Sequence, residues 1–233
     1  MSETDPLFLQ AFDGTNQRVP VWFMRQAGRY LPEYQKIKEK YTLNEMFRTP
    51  DLAAEITCQP IDILGVDAAI IFADILTLPA QMGFDISFGN RGPWITNRVT
   101  KPSDADAVHD FEDLSYVGNI IKLVSGRLPK TVPLIGFAGS PFTVLTYLIE
   151  GGVSPNFNKT FSYMNRHEVS FRALMAVLTK NTIEYLNLQK KAGIKAFQLF
   201  DSWAGILPAA DYARYVLPYV QEIFLAVDLP SIY

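Results

Sequence analysis

Short apolar runs rich in branched residues alternate along this chain with longer segments of helical period, and few architectures accept that rhythm. Strands are predicted at residues 21–24, 68–72, 132–137 and 196–200, each too short and too uniformly apolar to be a surface helix. Helices are predicted between them at 32–40, 51–64, 116–127, 141–150 and 167–192. The last is the clearest. Phe171, Leu174, Met175, Leu178, Ile183, Leu186 and Leu188 recur at near-helical spacing with charges between them, and Gly193 follows as a C-cap. Repeated strand–helix units of this kind build a parallel sheet, so the fold class is α/β. The stretch from Gly83 to Asn97 carries Gly83, Gly89, Gly92 and Pro93 among aromatic residues and is predicted as a hairpin or decorated loop. No internal repeat, low-complexity tract or linker interrupts the pattern, so one domain over 1–233 is expected.

At 233 residues and 48% hydrophobic, the chain is long enough to bury a full core. A formal net charge of −3 argues against a general nucleic-acid binder or a polybasic membrane binder, which carry a basic stripe. An anionic small molecule would need a local cluster of cations instead. The single cysteine, Cys58, excludes an internal disulfide and fits a reducing compartment. Neither a secretory leader nor a run of roughly 18 to 20 apolar residues is present, so a cytoplasmic protein without a membrane span is expected. His109 and His167 stand at no spacing typical of zinc ligands and are read as surface residues, leaving no metal site and no required cofactor.

One cluster of cations does stand out. Arg25 and Arg29 follow the apolar run at 21–24, four residues apart, so that they share a side of the chain whether it is extended or helical. Gly28 between them lets the backbone turn or approach a ligand closely. Guanidinium groups form paired hydrogen bonds with carboxylate or phosphate oxygens, and a surface ion-pair cluster is the competing reading. Further polar residues fall at the carboxyl ends of predicted strands: Asp74, Gly139 with Ser140, and Asp201 with Ser202. In a parallel barrel that end gathers the loops that make a site. Taken alone, Asp74 fits a helix N-cap as well as a carboxylate in an apolar pocket, and Ser202 fits a cap. Tyr147 alone fits an ordinary helix tyrosine. Met24, Ile70, Phe137 and Phe200 serve equally as core or as the wall of a pocket.

The run Met24 to Tyr34, MRQAGRYLPEY, resembles the N-terminal signature of the uroporphyrinogen decarboxylase family. The likeness extends through VDAAIIFADIL (66–76), GFAGSPFTVLTYLIEGG (136–152) and FQLFDSWAG (197–205). What it implies is a (β/α)8 TIM-type barrel, here incomplete at its C-terminus, because the chain ends in Leu229 to Tyr233, which reads as the start of another strand. The resemblance also implies a cofactor-independent lyase that removes the four acetate carboxylates of uroporphyrinogen III, and a homodimer. By the same token Asp74 would reach the pyrrole N–H groups at the centre of the macrocycle. Arg25 and Arg29 would hold carboxylates, one of them also helping to deliver a proton, and Gln26, Tyr147 and Ser202 would contact substrate against an apolar wall of Met24, Ile70, Phe137 and Phe200. A histidine that the family carries near its C-terminus has no counterpart here. A corrinoid-linked methyltransferase of the same barrel superfamily, usually with zinc, and a non-catalytic porphyrinogen-binding fragment are the alternatives.

Overall fold

The computed structural model describes residues 5–89 and 92–233. Helix α1 (Leu7–Gln10) is followed by α2 (Pro32–Lys38), α3 (Leu43–Arg48) and α4 (Pro50–Leu64), which lead into strand β1 (Ala69–Ile70). Helix α5 (Thr77–Ala80) and the hairpin of β2 (Ile86–Gly89) and β3 (Gly92–Ile95) come next. Then α6 (Ser115–Arg127), β4 (Leu134–Gly139), α7 (Pro141–Glu150), α8 (Asn158–Arg166), α9 (Glu168–Ala192) and β5 (Ala196–Phe200) alternate. Helices α10 (Ala209–Tyr215) and α11 (Leu217–Ala226) precede β6 (Ser231–Ile232).

Strands β1, β4, β5 and β6 pair in that order, all parallel, so each new strand is laid beside the last after a helical crossover. That is the (β/α)8 plan expected from the sequence. Its centre is β4, with all six residues buried, against which α9 packs Phe171, Leu174, Met175, Leu178 and Leu186. Gly193 ends α9, its N–H donating to the Gln189 carbonyl. The predicted hairpin forms, with Ile86 opposite Ile95, and the chain from Ser231 does enter the sheet beside β5. His109 is exposed as expected, whereas His167 is half-buried against the Tyr163 ring, 5.2 Å between centroids.

One expected strand does not form. Residues 21–24 join no ladder, and Val21, Phe23 and Met24 are exposed. The segment is held beside β1 by one backbone bond, from the Asp67 N–H to the Val21 carbonyl (2.7 Å), and by side chains. The Val21 N–H donates to Asp67 Oδ2 (2.7 Å), and Asp67 also receives a two-pronged contact from Arg18. The fully buried Gln26 amide then reaches across, accepting from the Phe23 N–H (2.8 Å) and donating to the Ala68 carbonyl (2.7 Å). A similar substitution occurs on the other side of β1. That strand is shorter than the predicted 68–72, and where it diverges from β4 the freed Phe137 N–H and C=O are taken by the buried Gln189 amide from α9 (3.0 and 2.8 Å). The Phe72 N–H finds Thr57 Oγ1 on α4 (2.9 Å). Buried backbone groups must be paired, and here three buried polar side chains supply the partners that neighbouring strands do not. The chain after Ile70 is thereby free to bend toward the ends of the strands.

Gly136 shows how tight this arrangement is. A Cβ there would stand 2.4 Å from Gln189 Oε1 and 2.5 Å from Ile194 Cδ1. Because the Gln189 amide is pinned by two hydrogen bonds it has nowhere to go. A Gly136→Ala variant is therefore expected to lose about 1–3 kcal/mol of stability, read as a lowered midpoint in urea denaturation.

Candidate active site

A cavity of about 550 Å³ opens at the carboxyl ends of β1, β4 and β5. Its position follows from the topology: the loop after each parallel strand emerges on the same side. Nine of the ten residues singled out from the sequence line it, namely Met24, Arg25, Arg29, Ile70, Asp74, Phe137, Tyr147, Phe200 and Ser202. Gln26 is the exception. It is fully buried, and both ends of its amide are engaged with the backbone of Phe23 and Ala68, so it is not among the lining residues.

Asp74 lies four residues beyond β1, in the turn before α5. The Leu76 N–H donates to its Oδ1 (2.9 Å), and its own N–H donates to Thr77 Oγ1 (3.3 Å). Asp74 is therefore not the N-cap of α5, a position held by Leu76 without a side-chain cap bond; its carboxylate instead closes a tight turn onto the N–H two residues on, which fixes it in the cavity wall. Among the described residues no group donates to Oδ2. Burial pushes the Asp74 carboxyl above its ordinary pKa, while the Leu76 N–H and the charges of Arg29 and Arg25 pull it back down. A half-buried carboxylate in the cavity wall, faced by two cations, is poised to accept N–H donors from a ligand.

Arg25 and Arg29 adopt neither the extended nor the helical backbone considered from the sequence. Their φ angles are +63° and +70°, with Gly28 at +96° between them. Left-handed arginines are uncommon and cost on the order of 1–2 kcal/mol each. Gly28 is needed for space as well as for its φ, since a Cβ would meet Tyr34 Cε2 at 3.0 Å and Phe72 Cε2 at 3.1 Å. This coil turns both exposed guanidinium groups to the cavity mouth. Neither forms an ion pair among the described residues. Lys38, at the end of α2, adds a third cation to the lining.

The remaining wall is aromatic. Phe72 meets Tyr34 edge-on at 6.0 Å and Phe47 at 4.9 Å, and Phe47 meets Phe88 of the hairpin at 5.8 Å. Phe137 and Phe200 form an edge-to-face pair at 5.3 Å. Sequence reasoning missed Tyr34, Lys38, Phe47, Phe72 and Phe88 as lining residues. Tyr34 and Phe72 lay inside motifs already noted, whereas Phe47 and Phe88 arrive from α3 and the hairpin with no local signal. Tyr147 projects from α7 with its ring stacked on Trp203, centroids 3.8 Å apart. Burial raises the pKa of its phenol, the Asp74 charge raises it further and Arg25 lowers it, which sets the hydroxyl electrostatically between the two. Ser202 follows β5, exposed to the cavity, and caps no helix: the short 3₁₀ turn Ala204–Ile206 has no side-chain cap.

No His, Cys, Asp and Glu side chains among the described residues group closely enough to hold a metal ion. The site is a pocket with an aromatic wall, one half-buried carboxylate, a phenol and a cationic mouth. A sequence profile of the uroporphyrinogen decarboxylase (URO-D) family matches residues 3–232. The chain belongs to the uroporphyrinogen decarboxylase family.

Uroporphyrinogen decarboxylases from Geobacter sp. (strain M21) and Roseiflexus sp. (strain RS-1) are 46% and 50% identical to it over 217 and 212 residues, or 92% and 89% of this chain. The protein of that name from Thermodesulfovibrio yellowstonii is 45% identical over 97% of the chain. The chain spans 64%, 61% and 68% of the lengths of these three relatives, respectively. A solved structure of a methyltransferase from Methanosarcina mazei superposes with a TM-score of 0.74, covering 97% of this chain and 67% of its own, at 17% identity. At that identity the likeness speaks for the barrel fold alone. The uroporphyrinogen decarboxylase relatives carry the family assignment.

Proposed function

We propose that the cavity binds uroporphyrinogen III and that the protein removes the carboxyl groups of its four acetate side chains, giving coproporphyrinogen III. The observation that carries this reading is the pairing of one half-buried carboxylate, Asp74, with two guanidinium groups that have no ion-pair partner among the described residues. A flexible macrocycle with N–H donors at its centre and carboxylates round its edge presents the inverse pattern.

The chemistry asks little of the protein beyond placement and charge. Protonation of a pyrrole carbon next to the acetate-bearing position makes the ring cationic. The bond from the acetate methylene to its carboxylate then breaks, CO2 leaves, and the electron pair flows into the ring as an exocyclic double bond. Protonation of that methylene gives a methyl group, and loss of the first proton restores the pyrrole. One proton is consumed for each CO2 released. Asp74 would accept the pyrrole N–H groups and stabilise the cation, a task for a fixed charge. Arg25 and Arg29, extended by Lys38, would hold substrate carboxylates, and one of the two arginines would pass the proton. Tyr147 and Ser202 would hydrogen-bond the substrate against the wall of Met24, Ile70, Phe137 and Phe200.

The ring serves as the electron sink, so no cofactor or metal enters the scheme. A single-domain, cytoplasmic homodimer belongs to the same proposal and rests on family resemblance; no helix among the described residues is long and apolar enough to cross a membrane. The direct test is an anaerobic assay with uroporphyrinogen III and no added metal or cofactor, resolving products with seven to four carboxylates. Stepwise appearance of these products supports the reading, and an unchanged substrate overturns it.

A further inference from the structure

Behind the cavity wall, and not lining it, lies a second carboxylate, half-buried. Asp201 closes β5, and the side chains that meet it come from two other parts of the fold. Thr143 Oγ1 donates to Oδ1 (2.6 Å), while Ser140 Oγ (2.9 Å) and the Tyr233 hydroxyl (2.7 Å) donate to Oδ2. The Tyr212 hydroxyl in turn donates to that of Tyr233 (2.9 Å). Burial raises the Asp201 carboxyl above its ordinary pKa, and these hydroxyls oppose the rise. Ser140 occupies the N-cap position of α7 but makes no cap bond with its side chain, which has turned to Asp201 instead.

The direction of one bond matters. A threonine hydroxyl has a single proton, and Thr143 gives it to Asp201. Its oxygen is then left to accept, and it does so from the Trp203 backbone N–H (3.1 Å). Trp203 is the residue whose indole stacks on Tyr147 with 26° between the planes, and Phe157 meets its edge at 5.1 Å. Ser202 sits between Asp201 and Trp203, both of them anchored. The chain of contacts thus runs from Asp201 through Thr143 and Trp203 to the two hydroxyls that face the cavity from this side.

We propose that Asp201 is a positioning residue, which through Thr143 and Trp203 sets the Tyr147 ring and the Ser202 hydroxyl for the bound substrate. The proposal rests on the porphyrinogen reading of the cavity. Misplacing a reacting partner by about 1 Å can cost on the order of 10²-fold in rate, so a structural change of one turn is enough to be felt.

The experiment combines a kinetic cycle with a spectroscopic readout. In a Trp22→Phe, Trp94→Phe background, Trp203 is the one remaining tryptophan and its emission reports the stack on Tyr147. Asp201→Ala is expected to make that emission more accessible to acrylamide, and to lower kcat by about 10- to 100-fold with KM changed less than about threefold. If Asp201 acts through Tyr147, the Asp201→Ala, Tyr147→Phe double variant is no slower than the slower single variant, because effects of coupled groups do not multiply. Asp201→Asn, which keeps the shape and one acceptor oxygen, is expected to fall between and serves if the alanine variant fails to fold. Unchanged Trp203 quenching, an unchanged kcat, or multiplicative rate effects would each overturn the proposal. Should the parent protein not turn over uroporphyrinogen, the functional reading fails first, and the quenching experiment alone decides whether Asp201 sets the stack.

Discussion

An Asp74→Asn variant is expected to decarboxylate at least about 10²-fold more slowly than the parent while folding at least as stably at neutral pH. The rate effect follows from removing a preorganised charge aimed at a developing cation, which typically costs 10²–10³ in kcat. Each of the four acetates would be processed at one site, so every step should slow and no partly decarboxylated product should be spared. The stability effect has the opposite sign because burial raises the pKa of the Asp74 carboxyl above its reference of 3.8. Ionising it in the folded protein therefore costs free energy, about 1.4 kcal/mol for each pH unit by which the folded pKa exceeds the unfolded one. That cost is absent below the unfolded value and fully present above the folded one. The advantage of the Asn variant should accordingly be small near pH 4 and widen as pH rises through the folded pKa. An asparagine oxygen can still accept the Leu76 N–H, so the turn before α5 survives. Urea titrations at several pH values, beside single-turnover rates, check both halves. A variant that is active but much less stable would show that Asp74 is only the cap of its turn.

Arg25→Ala and Arg29→Ala are each expected to weaken substrate binding by about 12- to 150-fold, from the loss of one charge-assisted contact of roughly 1.5–3 kcal/mol. Neither guanidinium makes an ion pair among the described residues, so the fold should lose little. Glycine offers a sharper version of the same test. Since Arg25 holds φ at +63°, Arg25→Gly relieves a left-handed conformation and should raise stability by about 1 kcal/mol while binding falls as in the alanine variant. Opposite movements of stability and affinity at one position are hard to obtain from a residue that merely decorates the surface. Calorimetric binding of coproporphyrinogen under anaerobic conditions, with thermal unfolding of the same samples, separates the two. Parent-like affinity in both alanine variants would remove the anion site from the scheme.

The parts of this fold that could be read from sequence are those governed by local pattern. The runs that became β4 and β5 announced themselves because a fully buried parallel strand is apolar throughout, and α9 because its face repeats. Asp74, Tyr147 and Ser202 were found because they follow strands or share motifs with a known family. Residues 21–24 looked like β4 in composition but join no ladder, since pairing depends on what lies alongside and not on the run itself. Gln26 lies inside the motif shared with a known family, which implies a substrate contact, yet its amide is spent on the backbone. Its neighbours in space, Phe23 and Ala68, were not legible from that position. Asp201 was noticed at the end of its strand, but its hold on Thr143 joins residues nearly sixty positions apart. The left-handed arginines gave no sign in the sequence beyond the glycine beside them.

The arginine-bearing segment joins no ladder of the parallel sheet; the Asp67 contacts, the Gln26 amide and the burial of Ala27 and Leu31 in the core hold it in place. No ladder would have to unzip for it to lift. It is expected to open at a lower free energy than the paired strands beneath, the kind of region from which moving parts of binding sites are drawn. On the proposed function, raising this strap would admit the polyacid, and the salt links formed as it settles would hold the strap down. Binding energy would then appear partly as added order at the cleft mouth, with the strands that lead to Asp74 and Asp201 paired throughout.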